Sequence, residues 1–248
     1  ILHEAKEAKV LVISRATESD AIEKIINYSL ETKNLSLSYS KNFQNDFVYR
    51  KLKIALPEHQ MLVIKGASGS GKTTLLNLIA AIETPTSGQY KFNGSSVPYG
   101  NIDAMTRFRR ENIGYIFQTF NLIRDLTALE NVALVQELSG KVDLDAAKEH
   151  LRQVGLDGME NRFPFELSGG EQQRTAIARS MAKNPKVLLA DEPTGNLDEK
   201  TTHEVFQTLV DMCKKNSITI IVVSHDLSLS KYTSKIIEMR SGKTVDKS

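Results

Sequence analysis

Gly66-Ala67-Ser68-Gly69-Ser70-Gly71-Lys72-Thr73 follows the apolar run Met61-Leu62-Val63-Ile64 and leads into Thr74-Leu75-Leu76-Asn77-Leu78-Ile79-Ala80. This is the pattern G-x-x-x-x-G-K-[ST], placed between a strand and a helix as the pattern requires for phosphate binding. Glycines and serines leave the backbone free to curl, so successive N–H groups from Gly66 to Thr74 can point at phosphate oxygens. The helix that follows adds the positive end of its dipole. Lys72 is placed to reach the β- and γ-phosphates, and the Thr73 hydroxyl to ligate Mg²⁺. The bland alternative is a Gly/Ser-rich turn, against which the strand and helix flanks count. The stretch alone does not separate a kinase, a GTPase, a helicase or a transport ATPase.

A chain of 248 residues can bury a substantial core, as one large domain or two small ones. With 40% hydrophobic and 25% charged residues, wholesale disorder is excluded. The net charge of +2, with no long run of Lys and Arg, gives nucleic-acid binding no electrostatic support. Cys213 is the single cysteine, so an internal disulfide is impossible and a reducing compartment is expected. Its position on an amphipathic stretch reads as a core or surface thiol rather than a reactive one. No stretch approaches the length of a membrane span, and no secretory signal pattern is present. Any membrane role is therefore expected to come through a separate subunit.

Outward from the phosphate loop, the pattern changes several times. Upstream, Val10-Leu11-Val12-Ile13 reads as a short strand, and Thr17 with Asp20 makes a capping-box pattern ahead of Ile22, Ile25, Ile26 and Leu30, which share a helical face. Residues 1–33 are accordingly expected to be an N-terminal extension with a short strand and helix. From Asn34 the chain turns to strands: Leu35 to Tyr39, a polar loop Ser40 to Asp46, then Phe47 to Leu56 before the turn Pro57-Glu58-His59-Gln60. This predicts an antiparallel sheet leading into the loop. A strand at Gln89 to Phe92, the hairpin signal Asn93-Gly94, a helix over Ala104 to Arg110 and a strand over Ile113 to Phe117 follow. Helical spacing then dominates from Thr127 to Ala182, and α/β alternation resumes with Val187 to Ala190, Asp198 to Cys213, Ile218 to Val223 and Ile236 to Met239. Strands apolar throughout suit a parallel sheet covered on both faces.

Two further stretches carry chemistry. Asp191-Glu192 closes the apolar strand Val187 to Ala190, and the carboxyl end of such a strand is where an α/β sheet presents groups to ligand. Asp191 can hold Mg²⁺ there. Glu192 can act as general base on the attacking water while charge spreads over the γ-phosphate oxygens. In Leu167-Ser168-Gly169-Gly170-Glu171-Gln172-Gln173-Arg174, Ser168 and the Gly169 and Gly170 amides stand at a helix N-terminus and form a second anion site.

That last string resembles the signature motif of the ATP-binding-cassette (ABC) ATPases, and the order of motifs from Tyr39 to His225 is similar to that family's nucleotide-binding domain over residues 34–248. The resemblance implies a P-loop NTPase (RecA-like) α/β core with an antiparallel β subdomain and an inserted helical subdomain at about residues 119–182. It implies ATP and Mg²⁺ as ligands. Tyr39 looks like the aromatic that stacks on adenine, with a surface strand tyrosine as the alternative. Gln118 is similar to the glutamine that meets Mg²⁺ and water and relays movement to a transmembrane partner. His225 resembles the switch histidine contacting γ-phosphate, and Asp198 matches the loop that crosses between subunits. Two copies are then expected to pair head to tail, with ATP between Lys72 of one and Ser168 of the other.

Finer strings, Ala190 to Asp198, Leu126 to Val132 and Ser224 to Gly242, look like the branch containing lipoprotein-releasing, macrolide-exporter and cell-division ATPases. This implies an ATPase, peripheral on the cytoplasmic face of the cell membrane, that drives a permease subunit in export or extraction. Regulation of a membrane-spanning partner without transport is the alternative. The short run beyond the last strand leads to the expectation of no regulatory C-terminal domain. Residues 1–33 and the turn Pro57 to Gln60, without the usual glycine, depart from the family pattern. A soluble mechanical or nucleic-acid ATPase sharing this head is disfavoured, because no sustained heptads or Cys clusters lie between Gly66 and Asp191. A GTPase is disfavoured by the lack of an Asn-Lys-x-Asp string.

Overall fold

The computed structural model describes residues 27–39, 47–226, 229, 231–233, 235–240 and 243–246. Six strands form one sheet in the order β10-β9-β3-β8-β7-β6. These are β3 (Met61–Gly66), β6 (Ile113–Ile116), β7 (Val187–Asp191), β8 (Thr219–Val223), β9 (Ile236–Arg240) and β10 (Lys243–Asp246). All neighbours run parallel except the β9–β10 hairpin. β1 (Tyr28–Ser38), β2 (Phe47–Pro57), β4 (Ser87–Phe92) and β5 (Ser95–Ser96) form an antiparallel sheet in the order β2-β1-β4-β5.

The parallel sheet is apolar on both faces because both are covered. In β3, Leu62 and Ile64 join one buried cluster while Val63 joins the other. The same period of two splits Val187 and Leu189 from Leu188 and Ala190, and Ile221 and Val223 from Ile220 and Val222. The first cluster lies against the antiparallel sheet, α1 (Lys72–Ile79) and α2 (Ile102–Asn112). The second is covered by α3 (Ala128–Leu138), α4 (Leu144–Gln153), α5 (Gly169–Met181) and α6 (Glu199–Lys215). Cys213 belongs to that second core, and burial pushes its thiol up to about 12, which makes it a poor nucleophile at neutral pH.

The helices begin where side chains can replace missing backbone partners. Asn101 caps α2, Asp143 caps α4 and Asp198 caps α6, while Thr127 with Glu130 and Ser168 with Glu171 complete capping boxes on α3 and α5. α5 starts at Gly169 and packs on α3, α4 and α6.

One boundary differs from expectation. The first strand begins at Tyr28, so the division between residues 33 and 34 falls inside β1, and Leu30 is a fully buried strand residue rather than the end of a helical face. The reason is tertiary: Leu30 to Lys33 pair with Gln89 to Phe92 on one side, and Tyr28 to Thr32 with Ile54 to Pro57 on the other, and two ladders outweigh local spacing. The strand expected at Val10 to Ile13, the helix expected from Thr17 through Ile26 and the loop Ser40 to Asp46 lie outside the described residues.

Candidate active site

Parallel pairing brings three strand ends level. Val223 is the register partner of both Ile64 and Asp191, so the loop after β3, the carboxylates ending β7 and the segment after β8 meet at one edge. This is the edge at which an open parallel sheet presents ligand groups.

The phosphate loop curls tightly there. Gly71 is the N-cap of α1 at φ 94°, a left-handed conformation, and a Cβ on it would sit 2.7 Å from the buried Tyr49 hydroxyl. Glycine is therefore required on both conformational and steric grounds. α1 has no side-chain cap and no acid in its first turn, so its leading N–H groups remain free for an anion. Lys72 is buried at 6% exposure, its Nζ donating to the carbonyls of Gly66 at 2.9 Å and Ala67 at 3.0 Å. The Ser70 hydroxyl is buried without a hydrogen-bond partner among the described residues. A buried ammonium with only neutral acceptors and an orphaned hydroxyl suit an arriving polyanion.

Thr73 lies beside Asp191, and its hydroxyl favours the ionised carboxylate. Burial raises the pKa of Asp191, opposed by the Thr73 hydroxyl and by Lys72 and reinforced by Glu192. A hydroxyl and a half-buried carboxylate at the phosphate loop are oxygen donors of the kind that suit Mg²⁺, which keeps few protein ligands.

Glu192, Gln118 and His225 converge from three different strand ends. Glu192 Oε1 lies 3.0 Å from His225 Nε2, and Gln118 Nε2 donates to Glu192 Oε2 at 3.4 Å. The Glu192 backbone sits at φ 46° and its N–H donates to the Val223 carbonyl at 2.9 Å. A left-handed backbone on a non-glycine residue is costly and is held here by the sheet. Asn196 donates from Nδ2 to the Gln118 carbonyl at 3.0 Å, joining the loop after β7 to the loop after β6.

The remaining predicted residues are placed differently. Tyr39 follows β1, is 63% exposed, and has its hydroxyl beside Thr74 and Glu83; partial burial and then Glu83 raise its pKa. Ser168 makes its hydrogen bonds within its own turn: its N–H and hydroxyl donate to Glu171 Oε2 at 2.7 and 2.8 Å. These bonds lower the Glu171 pKa. Gly169 and Gly170 pack toward α6 and the loop before it; a Cβ on Gly170 would lie 2.5 Å from Thr201 Cγ2. Asp198 is spent as the α6 cap, accepting from the Thr201 N–H at 3.0 Å.

A family profile described as "ABC transporter" matches residues 49–195, more than half of the chain and the span that holds the phosphate loop, Gln118, Ser168 and Glu192. The chain belongs to the ABC transporter ATP-binding family. An uncharacterized ABC transporter ATP-binding protein of Methanocaldococcus jannaschii is 42% identical over 220 residues, which are 88% of this chain and 98% of that protein. ABC transporter H family member 2 of Dictyostelium discoideum is 42% identical over 219 residues, 86% of this chain but 43% of that longer protein; the ABC chain thus spans less than half of that relative. Among solved structures, the dimeric ATP-binding cassette MJ0796 in a post-hydrolysis state with ADP and Pi superposes with a TM-score of 0.77 at 34% identity, covering 88% of this chain and 98% of that one. cbiO1 from Clostridium perfringens, part of the ABC transporter complex cbiONQ, gives 0.79 at 26% identity, covering 88% and 87%. The ABC ATP-binding chain is an ATPase, with the mixed parallel and antiparallel architecture of these cassettes.

Three residues that hold the loop after β6 were not singled out from sequence. Asn196 stood inside the string Thr194-Gly195-Asn196-Leu197-Asp198 without a role. Asn131 is fully buried and bonds Ile123, Leu126 and Thr127 through Nδ2 and the Ile123 N–H through Oδ1. Arg179 donates to the carbonyls of Phe120 and Asn121. For Asn131 and Arg179 the sequence signal was a polar residue on a helix with buried apolar neighbours, which does not disclose its partner, and Asn196 stands in a loop.

Proposed function

We propose that this ABC subunit hydrolyses ATP between two head-to-tail copies and passes the resulting motion to a separate membrane permease that exports or extracts cargo. The observation that carries the reading is the convergence of Glu192, Gln118 and His225 beside Thr73 and Asp191. Backbone amides from Gly66 to Thr74, with Lys72, bind the phosphates. Thr73, Asp191 and Gln118 would hold Mg²⁺, which when bound would supply charge neutralisation to the phosphates. Glu192 orients the attacking water and receives its proton, while His225 holds the carboxylate and meets the γ-phosphate. Tyr39 stacks on adenine.

The second copy supplies Ser168, Gly169 and Gly170, with Asp198 at the crossing. Supporting this, Ser168 is exposed and bonded only to its own helix turn among the described residues, and the related cassette MJ0796 is a dimer. Residues 119–182 act as the helical subdomain. No described helix is long and apolar enough to cross a membrane, consistent with a peripheral subunit on the cytoplasmic face. Export or extraction is favoured over import by the strings Ala190 to Asp198 and Leu126 to Val132, which resemble the lipoprotein-releasing, macrolide-exporter and cell-division branch.

Glu192→Gln is the test. Turnover is expected to fall by about 100-fold or more, the scale of losing a general base, while ATP affinity is retained and an ATP-dependent dimer accumulates on gel filtration. Undiminished hydrolysis would remove Glu192 from its role.

A further inference from the structure

The loop from Phe117 to Thr127 connects β6 to α3 without regular structure, yet its main chain is anchored along its length. Asn196 holds the Gln118 carbonyl at 3.0 Å. Asn131 holds both backbone groups of Ile123 and the carbonyls of Leu126 and Thr127. Between these anchors one side chain holds two consecutive carbonyls. Arg179 donates from Nη2 to Phe120 O at 3.0 Å and from Nη1 to Asn121 O at 2.5 Å.

Arg179 lies in the last turn of α5, the helix whose first turn displays Ser168. It is half-buried, and burial lowers its pKa. A desolvated guanidinium must keep its hydrogen bonds, and its planar fork spans two carbonyls as a lysine ammonium cannot. Gln118 stands two residues before the first of those carbonyls, and its amide meets Glu192 at 3.4 Å, the long end of hydrogen bonding. A small shift of the loop therefore decides whether that contact is kept. The phenyl ring of Phe120 also approaches Gly169, whose Cβ would lie 3.8 Å from Phe120 Cζ, so the same loop touches α5 near both ends.

We propose that Arg179 is a positioning residue for Gln118, tying the loop that carries it to α5 so that the signature turn and the hydrolytic contacts move together. This rests on the role given above to Gln118. It adds a residue that touches neither nucleotide nor reacting water but sets the geometry of one that does.

The test is a double-mutant cycle on the purified full chain, with kcat, KM for ATP, nucleotide affinity and melting temperature measured for each variant. Arg179→Ala is expected to lower kcat about 10-fold, in line with misplacement rather than removal of a catalytic group, with nucleotide affinity within about twofold. Arg179→Lys is expected to fall between wild type and Arg179→Ala. Added to Gln118→Ala, Arg179→Ala should cost less than about a further twofold. Losses that multiply in the double variant while Gln118→Ala alone is impaired would overturn the Arg179 assignment and leave the Gln118 reading standing. Full activity in Gln118→Ala would overturn the reading of Gln118 itself. Lysine restoring full kcat would overturn the two-carbonyl fork. Should Arg179→Ala fail to fold, Arg179→Lys in both backgrounds carries the same cycle.

Discussion

Two helix N-termini in this molecule are proposed above as phosphate sites, and they are built in opposite ways. α1 begins at a left-handed glycine with no capping side chain and no acid in its own first turn, and it carries a buried lysine beside a buried serine hydroxyl that lacks a partner among the described residues. α5 begins with a completed capping box in which Glu171 already accepts from the Ser168 N–H and hydroxyl. The first leaves donors unpaired in a single chain and so stores affinity for an anion. The second is satisfied by itself, so it gains little from a phosphate until another molecule presents one close by. On the function proposed above, the difference means that one half of the site is assembled by folding and the other by association, the logic of a nucleotide that favours the closed pair.

Three substitutions would break or sharpen that contrast. The largest effect is expected from Lys72→Ala. Losing a charge-assisted contact to phosphate of roughly 3 kcal/mol should weaken ATP affinity about 100-fold, measurable by equilibrium binding to dilute single chains. Next is Ser168→Arg. ATP affinity of the single chain should stay within about twofold, because Ser168 belongs to the other half, while hydrolysis falls about 10- to 100-fold by steric and electrostatic obstruction of pairing. In mixed dimers the impaired site should be the one whose Lys72 is on the unmodified chain. Damage confined to the modified chain's own nucleotide would dissolve the contrast. The smallest effect is expected from Glu171→Gln, which keeps a capping side chain but removes a negative charge from the turn facing the partner's triphosphate. ATP-dependent dimerisation should then need about fivefold less protein, since the symmetric pair loses two exposed charges worth roughly 0.5 kcal/mol each; analytical ultracentrifugation would measure it.

The two halves also differed in how far they could be read before folding. The phosphate loop was legible because its chemistry is local: a strand, a run of Gly and Ser, then a helix. Ser168 was legible as a cap for the same reason, but that Glu171 occupies the cap was a matter of side-chain geometry. The start of β1 was misplaced because Ile22, Ile25, Ile26 and Leu30 repeat at helical spacing, whereas Leu30 pairs with Phe92 and Leu56 across two ladders. Arg179 was invisible because the carbonyls it holds lie 58 and 59 residues away.

What the chain determined by itself were the groups whose chemistry depends on near neighbours: the loop amides of Gly66 to Thr74, the caps at Thr127, Ser168 and Asp198, and the alternating apolar strands. Only the folded molecule decided that Glu192 would meet Gln118 and His225. Those residues follow three different strands, and parallel pairing must first set the ends of β6, β7 and β8 side by side. Register across a sheet is decided by long-range burial and hydrogen bonding, quantities that no short window of sequence contains.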